Sequence, residues 1–508
     1  MGQTAGLRQK RNMERLRKMA QLWESPFLRF RSREMRVGYF FQDMTPRYPS
    51  WKNTIYGALM MALSISTLAK DVAPAAVPFG ETGKFNMLYD VRQRPQAILL
   101  NELVYIVYNG DAEPSKNGNG AARPMLITYN PATRTFSDSV KLDERTNDHH
   151  DMPIIWADER DHLHVLYGCH RDPGTYLISK SPVSPEDDTI AWRKGPDIAP
   201  GISYPTVFRT FDDGEVLYYR TAGHNSSWTY KISRDNGETW LGPKDDLTDL
   251  DLLSFPEWSS YHGKVMSRDG RYLHVGYTDY DDVKSNDPLR LFNPRYGQPV
   301  SNEWKYNLSY LKVDLKERIV LNADGEELET PIHLEYSKDH AQIWDTAWRG
   351  AGVPPAMALD AEGEPIFLHV LSGDDLASPS YYYLRRENGL WKNTRICFAS
   401  HQWSSGYLQR DSDGTLHAYV LVWDGYLEGG YMDKHGGGRL EEWVSSNDGD
   451  TWTKHRDLSP DPTKYAGWRF NNVQPVVRPN GHPVDGMLIF YGWLDEDLPE
   501  AQAFLLHE

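Results

Sequence analysis

Two histidines twenty residues apart, His150 and His170, each stand just outside an apolar run. His150 precedes the run that starts at Pro153, and His170 follows the one that ends at Gly168. Tyr204 and Arg220 flank the next pair of runs in the same way. Tyr261 and His262 precede a further pair, with Tyr277 and Asp279 on its far side. In an antiparallel hairpin, the residue entering the first strand and the residue leaving the second lie at the same edge. The sequence therefore gathers His150, His170, Tyr204, Arg220 and Tyr261 at one edge of three successive hairpins, while the opposite ends carry ordinary turn residues. His149, next to His150, points the other way, as alternate residues of an extended chain do.

This set of side chains suits removal of a proton beside a carboxylate. The C5 hydrogen of a uronic acid becomes acidic only if the developing enolate charge is stabilised, a task for Arg or a protonated His. Losing one such donor typically costs about 2.7–4 kcal/mol. A base must take the C5 proton and an acid must protonate the leaving O4. His and Tyr can do both, each step worth on the order of 10²–10⁴-fold. That chemistry needs no cofactor. Glycoside hydrolysis normally wants two carboxylates, and the matched hairpin ends do not supply them.

The elements that must hold these residues repeat along the chain. From about residue 80 one unit recurs: a short apolar strand, a turn rich in Asp, Gly and Glu, and a second apolar strand. The units span 97–108, 153–168, 205–220, 263–277, 354–371, 407–423 and 473–493. Their Asp-Gly and Asn-Gly turns, as at Asp213-Gly214, Asp269-Gly270 and Asn480-Gly481, are strong hairpin signals. The usual spacing between units is that of a four-stranded propeller blade, which predicts an all-β, seven-bladed β-propeller over residues 76–508. The polar stretch 279–299 is expected to be a long loop over one face. Residues 233–240 read S-x-D-x-G-x-T-W, and 445–452 repeat the pattern with Asn447 in place of Asp. In these boxes the third residue caps a turn and the Trp fills a blade interface, so they speak for the propeller and not for a reaction.

Composition agrees. Gly 40, Pro 32, Trp 17 and Tyr 30 in 508 residues describe a turn-rich, aromatic β protein. With 55 basic residues against 71 acidic, the net charge of −16 disfavours a nucleic-acid partner. An anionic ligand then needs a local cationic pocket in an acidic body, for which Arg171, Arg220 and Lys264 are candidates. Cys169 and Cys397 are the only cysteines, too few for a disulfide scaffold or a zinc module. Residues 1–43 carry ten Arg and Lys against four acids and read as a basic extension. Residues 44–75 read as a signal peptide and short linker, with an apolar run at 55–68. The mature protein is thus expected to be secreted or periplasmic, off the membrane once the signal is removed, and monomeric.

The segments Asn147-Asp148-His149-His150-Asp151-Met152-Pro153, Leu166-Tyr167-Gly168-Cys169-His170 and Ser203-Tyr204-Pro205-Thr206 resemble the ulvan lyases of polysaccharide lyase family 25, and more distantly family 24. Tyr218-Tyr219-Arg220 and Trp258-Ser259-Ser260-Tyr261-His262 extend the likeness, which covers about residues 80–500. The resemblance implies a secreted seven-bladed propeller with BNR-type repeats acting on ulvan, the sulfated rhamnose–uronate polysaccharide of green algae. It implies endolytic β-elimination that leaves an unsaturated uronate at the new non-reducing end. By the same resemblance His150 and Tyr204 form the base and acid pair, Arg220 binds the uronate carboxylate with help from His170, and Tyr261 positions the sugar. The sequence leaves open which of His150 and Tyr204 takes the proton. A neutral His is a credible base near its ordinary pKa of about 6.5, whereas a Tyr base needs Arg220 to lower its pKa. Family members can hold a structural metal ion, for which His224 and the acidic run 279–282 are the available ligands.

Two other readings compete. A sialidase-like glycoside hydrolase is suggested by the boxes, but the Arg-Ile-Pro motif of that class is missing and Arg94-Pro95 is a poor substitute. A non-catalytic carbohydrate-binding propeller would use Trp403, Trp423 and Trp493 as stacking platforms.

Overall fold

The computed structural model describes residues 76–83, 87–110, 122–144, 150–187, 189–222, 227–249, 258–281, 291–301, 303–425, 436–494 and 501–508. All belong to the compact unit Lys70–Glu508. The basic extension 1–43 and the signal segment 44–75 lie outside the described residues, as do His149 and His224.

Each of the seven anticipated hairpins is an antiparallel pair. Their registers include Ala97↔Ile106, Ile154↔Leu166, Thr206↔Tyr218 and Gly263↔Gly276. The later three include Ala356↔Leu368, Tyr407↔Tyr419 and Gln474↔Ile489. Outer strands complete the meanders into sheets of four, three, five, four and four strands, and a nine-stranded sheet contains both chain ends of the unit. In that sheet Val77–Gly83 pairs with Ala501–His507, and Ala97–Leu100 meets Arg469–Val477 through the parallel pair Ile98↔Val477. Joining the first strand to the last in this way leaves fewer open edges. The architecture is the all-β propeller that the hairpin spacing predicts.

The turns form as the sequence requires. Gly270 takes φ +70°, and a Cβ there would sit 2.6 Å from the backbone nitrogen of Phe211, so both the conformation and the space demand glycine. Asp269 accepts hydrogen bonds from the Ser267 hydroxyl and the Arg271 N–H. Of the stretch 279–299, expected as a long loop, residues 282–290 lie outside the described residues, and its two ends are strands. The strand Tyr272–Asp281 continues into it, and Phe292–Asn293 pairs with Gln298–Pro299 as a small ribbon. One short α-helix, Leu334–His340, is present among the described residues.

Both boxes are structural. The Asp235 carboxylate accepts from the Ser233 hydroxyl and from the Thr239 N–H and hydroxyl, while the Trp240 indole donates to the Gly237 carbonyl. In the second box Asn447 uses its amide oxygen for the Ser445 hydroxyl and Thr451 N–H, and its amide nitrogen donates to the Thr451 hydroxyl. An amide is close in shape to a carboxylate and here adds a donor, which explains why the substitution is tolerated. Trp452 lies edge-on against Tyr383 of the preceding sheet, ring centroids 5.4 Å apart. Asp235→Ala should lower the unfolding free energy by about 1 kcal/mol, read as a shift in urea midpoint at constant slope, without loss of turnover.

Candidate functional site

The five predicted residues meet. His170 bridges to Ser203, which pairs with Arg220, so the end of one hairpin abuts both ends of the next. The His150 and His170 rings are stacked, centroids 4.3 Å apart, and both stand just over 6 Å from the Tyr204 ring. The Tyr204 and Tyr261 hydroxyls are 3.3 Å apart, and Arg220 donates to the Tyr261 hydroxyl at 3.2 Å. The Arg220 guanidinium carbon lies 4.7 Å from the centre of the Tyr204 ring and 4.6 Å from that of Tyr261.

Tyr204 owes its aim to a backbone irregularity. The strand register slips between Ser203 and Thr206, and Tyr204 adopts φ +55°. A bulky residue in the left-handed region is strained by roughly 1–3 kcal/mol. The strain is held by the pairs on either side and turns the phenol into the cluster. Such strain is common where a side chain serves a purpose other than packing.

Electrostatics separate the roles. Burial drives the Tyr204 phenol well above the usual tyrosine range, and Tyr261 and Tyr89 add to the effect. Arg220 and Arg92 pull in the opposite direction without overcoming burial. The condition a Tyr base requires, a phenol pKa lowered by Arg220, is not met: in this dry surrounding Tyr204 is a neutral phenol. Burial opposes the charge on Arg220, but the Tyr261 and Tyr204 phenols more than offset it and the group stays cationic. Arg220 is fully buried, and its Nε and Nη1 have no hydrogen-bond partner among the described residues. Unpaired guanidinium donors in a desolvated site are costly and suit an anion.

Three residues beside the cluster were not anticipated. Arg92 lies 4.9 Å from the Tyr89 ring and 5.0 Å from the Tyr261 ring, and Asp90 grips it with Nε at 2.8 Å and Nη2 at 2.5 Å. Tyr89 stacks on Tyr204 at 5.9 Å. Their segment is tied across the neighbouring sheets by Arg94 N–H to the Pro205 carbonyl, by the Thr206 hydroxyl to the Arg92 carbonyl, and by Gln93 to the Met152 carbonyl. The third residue, Lys305, donates to the Glu303 and Gly352 carbonyls, both at 2.7 Å, and lies 4.7 Å from the Tyr261 ring. Arg92 precedes the first hairpin and Lys305 opens the third strand of its sheet, so a rule based on hairpin ends could not find them.

Other expectations change. Of the proposed cations, Arg220 is central, Lys264 donates to the Arg92 carbonyl, and Arg171 is exposed next to His170, its N–H bonded to the Ile202 carbonyl. His262 is not at the rim. It stacks on Trp228 at 4.2 Å and is held by the Tyr218 and Ser260 hydroxyls, because Tyr261 and His262 project to opposite faces of one strand. Tyr277 is buried against Ser337, and Asp279 accepts from the Trp258 indole and the Asn307 amide. Among the described residues no three His, Cys, Asp or Glu side chains come together as a metal site. Both cysteines are free thiols. Trp493 is fully buried, while Trp403, 7% exposed, lies 4.6 Å from the Lys305 ammonium and 5.9 Å from the Arg92 guanidinium, beside the cluster.

A cavity of about 460 Å³ opens at the turn-bearing end of the hairpins, lined by Asp158, Arg209, Asp213, Arg268, Asp269 and Asn480 among others. Asp158 and Asp269 are already engaged in capping their own turns. At the other end a cation with open donors adjoins a phenol and two imidazoles.

Residues 122–399 match the BNR repeat-containing family. The chain is 24% identical over 450 residues to an ulvan lyase of Alteromonas sp. (strain LOR), covering 80% of this chain and 82% of that protein. It is 22% identical over 398 residues to an ulvan lyase of Nonlabens ulvanivorans, covering 72% and 76%. A solved PL25 ulvan lyase bound to -[GlcA(1-4)Rha3S]- superposes with a TM-score of 0.65 at 17% identity, over 85% of this chain and 96% of that one. That likeness is one of fold. Matched by the repeat family over more than half its length and built from the meanders such repeats form, the chain belongs to the BNR repeat-containing family.

Proposed function

We propose that this protein is a polysaccharide lyase that cleaves ulvan by β-elimination at the linkage between rhamnose 3-sulfate and a uronic acid. The observation that carries the reading is Arg220, a buried cation with two open donors placed against a neutral phenol and beside stacked imidazoles. The relatives named as ulvan lyases, and the sulfated disaccharide in the similar solved structure, support the choice of polymer.

In this mechanism Arg220 receives the uronate carboxylate through Nε and Nη1. His150, oriented by its stack on His170, takes the C5 proton as a neutral imidazole. The electron pair passes into the carboxylate as an enolate held by Arg220, then forms the C4–C5 double bond as the C4–O4 bond breaks. Tyr204 gives its proton to the departing O4, which leaves on the anomeric carbon of the neighbouring sugar. Tyr261, bonded to both Arg220 and Tyr204, fixes their spacing. The product carries a 4-deoxy unsaturated uronate at its new non-reducing end, and no cofactor takes part.

The same proposal includes seven blades, counting the nine-stranded sheet as two meanders joined at the pair Ile98↔Val477. It also includes export directed by residues 44–75 to the medium or periplasm, and a monomeric mature protein. Incubation with ulvan tests the chemistry. The expected result is a rise in the ultraviolet absorbance of a conjugated uronate, matched by new reducing ends. Reducing ends without that absorbance would mean hydrolysis, and neither signal would mean a binding protein.

A further inference from the structure

Trp348 is a large aromatic that faces solvent, 51% exposed. It sits in a turn that the fold maintains against its own preference: Ala347 and Trp348 in succession take φ +51° and +65°. Two consecutive non-glycine residues in the left-handed region are uncommon and strained. The turn is held from several sides. Asn293 donates to the Trp348 carbonyl at 2.9 Å, the Ala347 N–H donates to Asp345, and the Thr346 hydroxyl donates to the Arg349 carbonyl. The indole stands edge-on to Tyr306, centroids 5.5 Å apart, and Asn293 also donates to the Tyr306 hydroxyl.

This platform is tied to the cluster through the backbone. Lys305 and Ala351 exchange two backbone hydrogen bonds of 2.9 Å, tying the Trp348 turn to the strand whose Lys305 ammonium lies over Tyr261. Tyr306 is the next residue along that strand. Arg349, the next residue in the chain, is half-buried and bonded to the Tyr382 hydroxyl. An exposed aromatic face fits the apolar C–H face of a pyranose.

We propose that Trp348, braced by Tyr306, is a sugar-stacking subsite that holds the polysaccharide chain away from the bond being cut. The inference rests on reading the cluster as a polysaccharide site, though not on which bond is broken there.

The test uses the full chain with Trp348→Ala and Trp348→Phe. Affinity for ulvan is measured by gel retardation, and KM and kcat are compared on long ulvan and on the shortest oligosaccharide cleaved. Trp348→Ala is expected to weaken binding and raise KM on the long polymer by roughly 3- to 10-fold, as for loss of one aromatic contact. The effect should fall on KM more than on kcat and shrink on the short substrate, and Trp348→Phe should recover most of it. Unchanged affinity and KM in Trp348→Ala overturn the subsite. If the wild type binds ulvan without producing the unsaturated product and Trp348→Ala weakens that binding, the subsite stands and the elimination reading falls. A wild type that neither binds nor cleaves removes both.

Discussion

Arg220→Met is expected to lose at least about 10²–10³-fold in turnover, the usual cost of removing a charge-stabilising donor from a transition state. Its stability should hold or rise. The guanidinium is fully buried, its nearest partners are phenols and not carboxylates, and two of its nitrogens have no bond among the described residues. Replacing a buried charge by an apolar side chain of similar volume is often neutral or stabilising by about 1–4 kcal/mol. Thermal melts and kinetics on one preparation check both halves. Arg92 provides the contrast, because Asp90 neutralises it within the fold. Removing Arg92 would strand the Asp90 carboxylate, so Arg92→Met should destabilise. If Arg220→Met melts well below the wild type, the guanidinium is a structural group and not a reserved anion site.

Tyr204→Phe gives the second large effect, a fall of about 10²–10⁴-fold for loss of the proton donor. It keeps the ring that stacks on Tyr89 and carries the Arg220 contact. The pH profile makes the assignment sharper. A donor must be protonated, and burial raises the Tyr204 phenol above its ordinary range. The wild-type rate, corrected for spontaneous elimination, should therefore not decline through pH ~10, the ordinary tyrosine pKa. Were Tyr204 the base, the rate would climb with pH as phenolate formed. A climb of that kind, persisting in His150→Ala, would reverse the two roles.

Much of the fold was legible because its signals are local. A turn such as Arg268-Asp269-Gly270 needs a residue that tolerates positive φ and a carboxylate that caps the backbone, and both are written within a few residues. The matched ends of a hairpin are likewise a local consequence of antiparallel pairing, which is how His150, His170, Tyr204, Arg220 and Tyr261 were found together. The helix Leu334–His340 and the ribbon at Phe292–Asn293 were not read. They are short, and the surrounding sheet decides them more than their own propensity.

By itself, then, the sequence determined the repeated hairpin, the propeller it builds and the edge on which five reactive side chains lie, because strand pairing and turn chemistry act over short separations. Tertiary structure alone decided what those side chains are. Burial is a property of the closed fold, and it keeps Tyr204 protonated against the pull of Arg220. It also sends His262 into the interior and brings Arg92 and Lys305, distant in sequence, against the Tyr261 ring. Desolvation depends on every neighbour at once, and no spacing along the chain encodes it.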